Sequence, residues 1–289
     1  MNRLRFIDTQ RNSDQSSHPK TVSILSGKGG VGKTVIACNL AERIASLGYR
    51  ILLVDADFSF GNVHILNNVS CDYGLGAFAS GRLSLKESSL RITDRLDILV
   101  SDSTHDTKDL YDVRMAAAMM KNLYQQAGEY DFVLIDHGSG KSDAATAIAS
   151  ASDMTIMVVV PELTSLADGY GLFKHLIQSD SRINCCLVVN RAESTDEADY
   201  VHTRFTALTE RFLNSEPSYL GYLPEDQVVK ESVSAQRLIA NLSRDSRIIK
   251  SLADIGRSLV EELFSSTEGK QRLQETAINQ NQALADIKE

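Results

Sequence analysis

From residue 20 onward the chain alternates between short β-branched runs and longer stretches whose apolar positions recur at helical spacing. The runs are "TVSIL" (21 to 25), "RILLVDAD" (50 to 57), "LDILVS" (96 to 101), "DFVLID" (131 to 136), "TIMVVV" (155 to 160) and "CCLVVN" (185 to 190). Nearly continuous hydrophobic strands are the signature of strands covered on both faces. The pattern therefore predicts an α/β fold: a doubly wound, mostly parallel sheet flanked by helices. Between the first two runs, Val35, Ile36, Leu40, Ala41, Ile44 and Leu47 form the apolar stripe of a helix, and Gly48 is placed to close it. The stretch from Leu83 to Leu123 has the weakest periodicity, and no segment repeats another.

The same pattern sets expected boundaries. Residues 1–19, ending in "RNSDQSSHP", lack apolar spacing and read as a flexible tail. Residues 20–264 read as one domain, and residues 265–289, which contain no aromatic residue, as a polar extension. A length of 289 residues with 43% hydrophobic content is enough for one substantial core. The net charge of −8 argues against wholesale coating of nucleic acid or anionic lipid. Cys38, Cys71, Cys185 and Cys186 form no C-x-x-C pair, so buried, reduced thiols are expected. The apolar runs are too short to cross a bilayer, and the polar N-terminus does not read as a signal peptide, so a cytoplasmic location is expected.

The chemistry concentrates in "SILSGKGGVGKT", residues 23 to 34. Gly27, Gly32, Lys33 and Thr34 satisfy G-x-x-x-x-G-K-[ST] between a strand and a helix, the order that a phosphate loop requires. In such a loop the backbone of Gly27, Gly29, Gly30, Val31, Gly32 and Val35 turns amide groups toward phosphate oxygens. The start of the helix adds its positive partial charge. Lys33 then reaches the β and γ phosphates of a nucleotide, and the Thr34 hydroxyl joins the shell of a Mg²⁺ ion. A second lysine, Lys28, stands five positions earlier in the same turn and has no role in cradling phosphate within one chain.

"GKGGVGKT" resembles the deviant phosphate-loop motif of the MinD/ParA class of P-loop ATPases. The resemblance spans about residues 20 to 262 and implies ATP and Mg²⁺ as cofactors, slow hydrolysis and a homodimer formed on ATP. It implies that Lys28 crosses the dimer interface to touch the partner's nucleotide, where a cation offsets charge developing on the transferring phosphoryl. In "VDADFSFGN" it implies that Asp57 positions the attacking water, Asp55 lies near the Mg²⁺ shell and Asn62 senses the γ-phosphate. In "DFVLIDHGSG" it implies that Asp136 holds Mg²⁺ through water. His137 departs from the family pattern, and an isolated ring there is expected to face solvent rather than to tune hydrolysis. "PELTSLADGYGLF" resembles a family segment beside the nucleotide and the dimer interface. Asn190 is expected at the adenine edge, and Pro224 and Asp226 of "GYLPEDQ" beside the base.

Within the class, "GNVHILNNVSCDYGLGAFASGRLSLKE" is most similar to the FlhG/FleN (YlxH) branch, whose members limit flagellar number and placement. That likeness implies a regulatory protein partner and contact with the inner face of the membrane. After Phe264, however, the large aliphatics Leu273, Ile278, Leu284 and Ile287 are unevenly spaced, so any lipid contact is expected to be weak. Two other readings remain. Arg237, Arg244, Arg247 and Lys250 could form a DNA-binding patch of a partitioning ATPase. A nucleotide-binding scaffold that never hydrolyses is the third.

Overall fold

A computed structural model of the chain describes residues 18–58, 61–101, 112–243 and 245–264. Apart from His18 and Pro19, the expected tail and the polar extension lie outside the described residues. Eight strands form one sheet: β1 (Lys20–Leu25), β2 (Ile51–Ala56), β3 (Leu90–Thr93), β4 (Leu96–Leu99), β5 (Phe132–His137), β6 (Met154–Val159), β7 (Cys185–Ala192) and β8 (Ser218–Pro224). Their order is β3-β4-β2-β5-β1-β6-β7-β8. Among the described residues only the β3–β4 pairing is antiparallel. The doubly wound, mostly parallel reading therefore holds.

Between the strands lie α1 (Lys33–Ser46), the short α2 (Val63–Leu66), α3 (Leu75–Ala79) and α4 (Leu85–Ser88), then α5 (Val113–Gln126), α6 (Asp143–Ala151), α7 (Leu163–Ser179), α8 (Thr195–Leu213), α9 (Gln227–Ala235) and α10 (Arg247–Leu263). Side-chain caps start several of them: Asp112 for α5, Ser142 for α6 and Ser194 for α8 accept from amides of the first turn. The first helix ends as its sequence indicates, with Gly48 in the left-handed region at φ 98°.

Strand residues alternate between two apolar layers, because successive side chains point to opposite faces. Val22, Ile24, Leu53 and Leu134 pack with Leu40 and Ile44 of α1 and with Ile255 and Leu259 of α10. Leu52, Val54, Val133 and Ile135 face Ala116, Met119 and Leu123 of α5 and Ile148 of α6. Farther along the sheet Met157, Val159, Leu187 and Val189 meet Leu172 and Phe173 of α7 and Phe205 of α8. This parity decides where each polar residue at a strand end emerges. Cys38, Cys185 and Cys186 are buried free thiols, and Cys71 is half-buried. The irregular stretch from residue 83 holds the short α4 and the edge hairpin β3–β4, whose pairing is broken by a register shift.

Candidate functional site

The site lies where the C-terminal ends of β1, β2 and β5 meet the start of α1, at the crevice that open α/β sheets use for ligands. Residues 26–32 connect β1 to α1. Gly32 occupies the N-cap position with φ 94° and offers no side-chain cap, so the first amides of α1 are left for an external acceptor. Gly27 is required by its surroundings: a Cβ there would lie 2.2 Å from the backbone carbonyl atoms of Asp168 on α7. The loop is braced from within by Ser26 Oγ, which donates to the Lys28 carbonyl at 2.7 Å. Val31 is buried, Val35 is half-buried, and Gly29 and Gly30 are exposed. Asn190 Nδ2 donates to the Val31 carbonyl at 2.7 Å, which fixes β7 against the loop.

Three carboxylates approach the loop. Asp55 and Asp136 are paired in the register of β2 and β5, both with no solvent exposure. Burial first, then the charge of Asp136, pushes the Asp55 carboxyl up to about 8. Its Oδ1 accepts from the Asp57 amide at 3.2 Å and its Oδ2 from the Val63 amide at 3.1 Å, so Asp55 braces the turn leading into α2. Asn62, at the N-cap of α2, is exposed. Burial likewise pushes Asp136 up to about 7, while Thr34 and the Lys33 ammonium draw it down and Asp57 raises it. Thr34 and Lys33 act from nearby without closing a hydrogen bond of good geometry, for both Asp136 oxygens are buried without a partner. Lys33 is 8% exposed, and burial lowers its pKa against the opposing pull of Asp136 and Asp57. Asp57 is half-buried and faces the loop after β5, its Oδ1 3.4 Å from the place a Gly138 Cβ would take.

These residues fit a divalent cation that arrives with its own ligands. Among the described residues no group of three or more His, Cys, Asp or Glu side chains could cage a metal alone. A buried, partnerless carboxylate beside a hydroxyl is what Mg²⁺ carrying phosphate oxygens and water would complete.

The loop after β5 is joined to the phosphate loop, since the Gly140 amide donates to the Ser26 carbonyl at 2.9 Å. His137 corrects the expectation of a solvent-facing ring: it is 1% exposed. Being odd in parity to Asp136, it turns to the opposite face of the sheet. Its Nε2 lies 3.1 Å from Ser23 Oγ, which is 2.9 Å from Ser152 Oγ, which donates to the Ile148 carbonyl at 2.9 Å. Because the carbonyl can only accept, Ser152 must accept from Ser23 and Ser23 from His137. The ring is therefore the neutral Nε2–H form, with Nδ1 buried and partnerless. Burial, then the Lys33 charge, drops its pKa to about 3.

The pairing of β7 with β8 sets Asn190 beside Leu223 and Ala192 beside Pro224, and Asp226 follows two residues after the end of β8. Asp226 is the N-cap of α9, accepting from the Val228 amide at 3.1 Å, and Pro224 is buried. Of the anticipated basic patch, Arg237, Arg247 and Lys250 are exposed, and Arg244 lies outside the described residues. Sequence reasoning missed the partners of Lys28, whose ammonium donates within its own chain to Glu162 and Thr164 at the start of α7. "PELTS" was the available signal, but nothing local in it points to a lysine 134 residues away.

A loop with an uncapped helix start, an invading lysine and a buried carboxylate across the sheet define a P-loop nucleotide-binding protein. Residues 18–260 match the family model described as ParA, NUBPL iron-transfer P-loop NTPase, and the chain belongs to the ParA family. It is 29% identical to the antiactivator FleN of Pseudomonas aeruginosa over 78% of this chain and 80% of that protein. It is 24% identical to the flagellum site-determining protein YlxH of Helicobacter pylori over 86% and 85%. Among solved structures it resembles the septum site-determining protein MinD of Pyrococcus horikoshii, complexed with Mg-ADP, with a TM-score of 0.70 at 21% identity, covering 83% of this chain and 96% of that one.

Proposed function

We propose that the chain is a MinD-like ATPase switch that pairs with a second copy on Mg-ATP and regulates the number or placement of a cellular structure, the flagellum first. The observation that carries the nucleotide chemistry is the partnerless, buried Asp136 beside Thr34, facing a phosphate loop whose amides are uncapped. The Mg-ADP held by the MinD relative supports the same cofactor pair, and the names of the FleN and YlxH relatives support the flagellar output.

In this reading the amides of Gly29 to Thr34 and the Lys33 ammonium hold the phosphates, and Thr34 and Asp136 hold Mg²⁺, which neutralises charge on the phosphate oxygens. Asp57, aimed across the crevice toward Gly138, orients water for attack. Asn62, at the start of α2, reports the γ-phosphate. Asn190, Pro224 and Asp226 line the base end. Lys28 supplies the second cation to the partner copy. The product of the cycle is a change in assembly, read by a regulatory protein.

Sedimentation in Mg²⁺ with a non-cleavable ATP analogue tests the pairing. Phosphate release measured alone, with anionic vesicles and with DNA tests the output. Vesicle stimulation supports peripheral action at the inner face of the membrane; among the described residues no helix is long and apolar enough to cross. DNA stimulation selects partitioning through Arg237, Arg247 and Lys250. Absence of turnover in all three arms selects the scaffold.

A further inference from the structure

In the single subunit the Lys28 ammonium is already engaged. It donates to Glu162 Oε2 at 2.5 Å and to Thr164 Oγ1 at 3.0 Å. Both acceptors belong to the first turn of α7. Glu162 sits at its N-cap position, yet its side chain makes no capping hydrogen bond and is turned to Lys28 instead. Thr164 is the second residue of the helix, and Leu163 between them points outward at 76% exposure. The bond to Lys28 holds the Glu162 carboxyl below the usual range.

The surfaces on either side are fixed. Gly27 abuts the Asp168 backbone of α7, and Val160 is tied to Ser165 by a 3.0 Å hydrogen bond. The lysine stem is therefore the part that can move. An ammonium has three donors, and two are used in cis. Delivering it across a subunit boundary costs both contacts.

Resting on the switch reading above, we propose that Glu162 and Thr164 form a cis holding site for Lys28, a latch that opposes pairing until the phosphates of a partner's ATP draw the lysine away. An exposed ion pair shifts an equilibrium by about 1.4- to fivefold. A pair of subunits opens two latches, and independent sites multiply, so the holding sites together raise the concentration needed for pairing by about two- to twenty-fivefold.

Sedimentation velocity of the full chain, across a range of concentrations in Mg²⁺ and a non-cleavable ATP analogue, measures that midpoint. Glu162→Gln keeps size and removes charge, and is expected to lower the midpoint about two- to twenty-fivefold. Thr164→Val is expected to lower it by less, and Lys28→Ala to abolish pairing in either background. Both latch residues are exposed, and matching thermal melts would exclude misfolding. A wild type that pairs while Glu162→Gln pairs at the same or a higher concentration overturns the latch alone, the second result meaning that Glu162 aims the lysine outward. A wild type that stays single at every concentration overturns the switch reading and the latch with it.

Discussion

The carboxylates of Asp55 and Asp136 stand opposite one another in the β2–β5 register, on the face of the sheet that carries α1. Asp55 is braced by two backbone amides, whereas Asp136 has no hydrogen-bond partner. One of the pair is therefore tied to the backbone, and the other keeps both oxygens unpaired.

Stability of the nucleotide-free protein should carry that imprint. Both carboxyls have folded pKa values near 8 and 7, above the unfolded value of about 4. At these two groups the folded state binds more protons than the unfolded one, so their contribution is full below about pH 4 and declines as pH rises toward 8. Thermal melts at pH 6 and pH 8 should show a lower midpoint at pH 8, and saturating Mg²⁺ with nucleotide should flatten the difference. Asp136→Asn should raise the nucleotide-free stability at pH 8 by about 1–3 kcal/mol, seen as a higher melting midpoint, and remove the Mg²⁺ dependence of nucleotide affinity. An equal or lower midpoint for the variant would count against the buried charge.

His137 acts in the opposite direction. Its folded pKa near 3 lies below the unfolded value of about 6.5, so its contribution is present above pH 6.5 and is lost as pH falls toward 3. Between pH 7 and pH 5 the wild type should lose about 2 kcal/mol that His137→Gln does not lose, at 1.36 kcal/mol per pKa unit. Taking the difference between the two proteins cancels the carboxylate terms. Parallel pH profiles in chemical denaturation would refute a buried neutral ring.

Lys33→Ala removes the ammonium whose charge Asp136 and Asp57 feel. Calorimetric ATP affinity should fall by at least about tenfold, the equivalent of 1.4 kcal/mol, and nucleotide-dependent assembly should vanish. Relief of burial should leave the melting midpoint unchanged or slightly higher. Wild-type affinity would remove the loop from the nucleotide site.

Asp57→Ala should leave nucleotide binding near wild type and slow phosphate release by about 10²-fold or more, the range for loss of a group that directs proton transfer. Light scattering with ATP should then show a long-lived pair. A variant that stays single with ATP would contradict the switch reading.

The parallel sheet was legible because strands buried on both faces need unbroken aliphatic runs, and the phosphate loop because its glycines are dictated by local backbone geometry. Strands β3 and β8 were not. Leu90–Thr93 alternates between half-buried and exposed positions at the sheet edge, and "SYLGYLP" is interrupted by Gly221 and Pro224, so neither forms a long apolar run. His137 was misplaced although strand parity held the answer: two steps from Ile135, it had to share that residue's face rather than that of Asp136. The cis partners of Lys28 depend on how α7 packs against the loop, which no local pattern encodes.

The Gly140–Ser26 hydrogen bond has a mechanical corollary. It makes the turn after β5 and the cradle after β1 one lever, with Ser142, the cap of α6, only two residues from its free end. Departure of a terminal phosphate on one side would thus be transmitted to a helix on the other without any rearrangement of the sheet between them. A protein gripping α6 could sense the nucleotide's age without touching it.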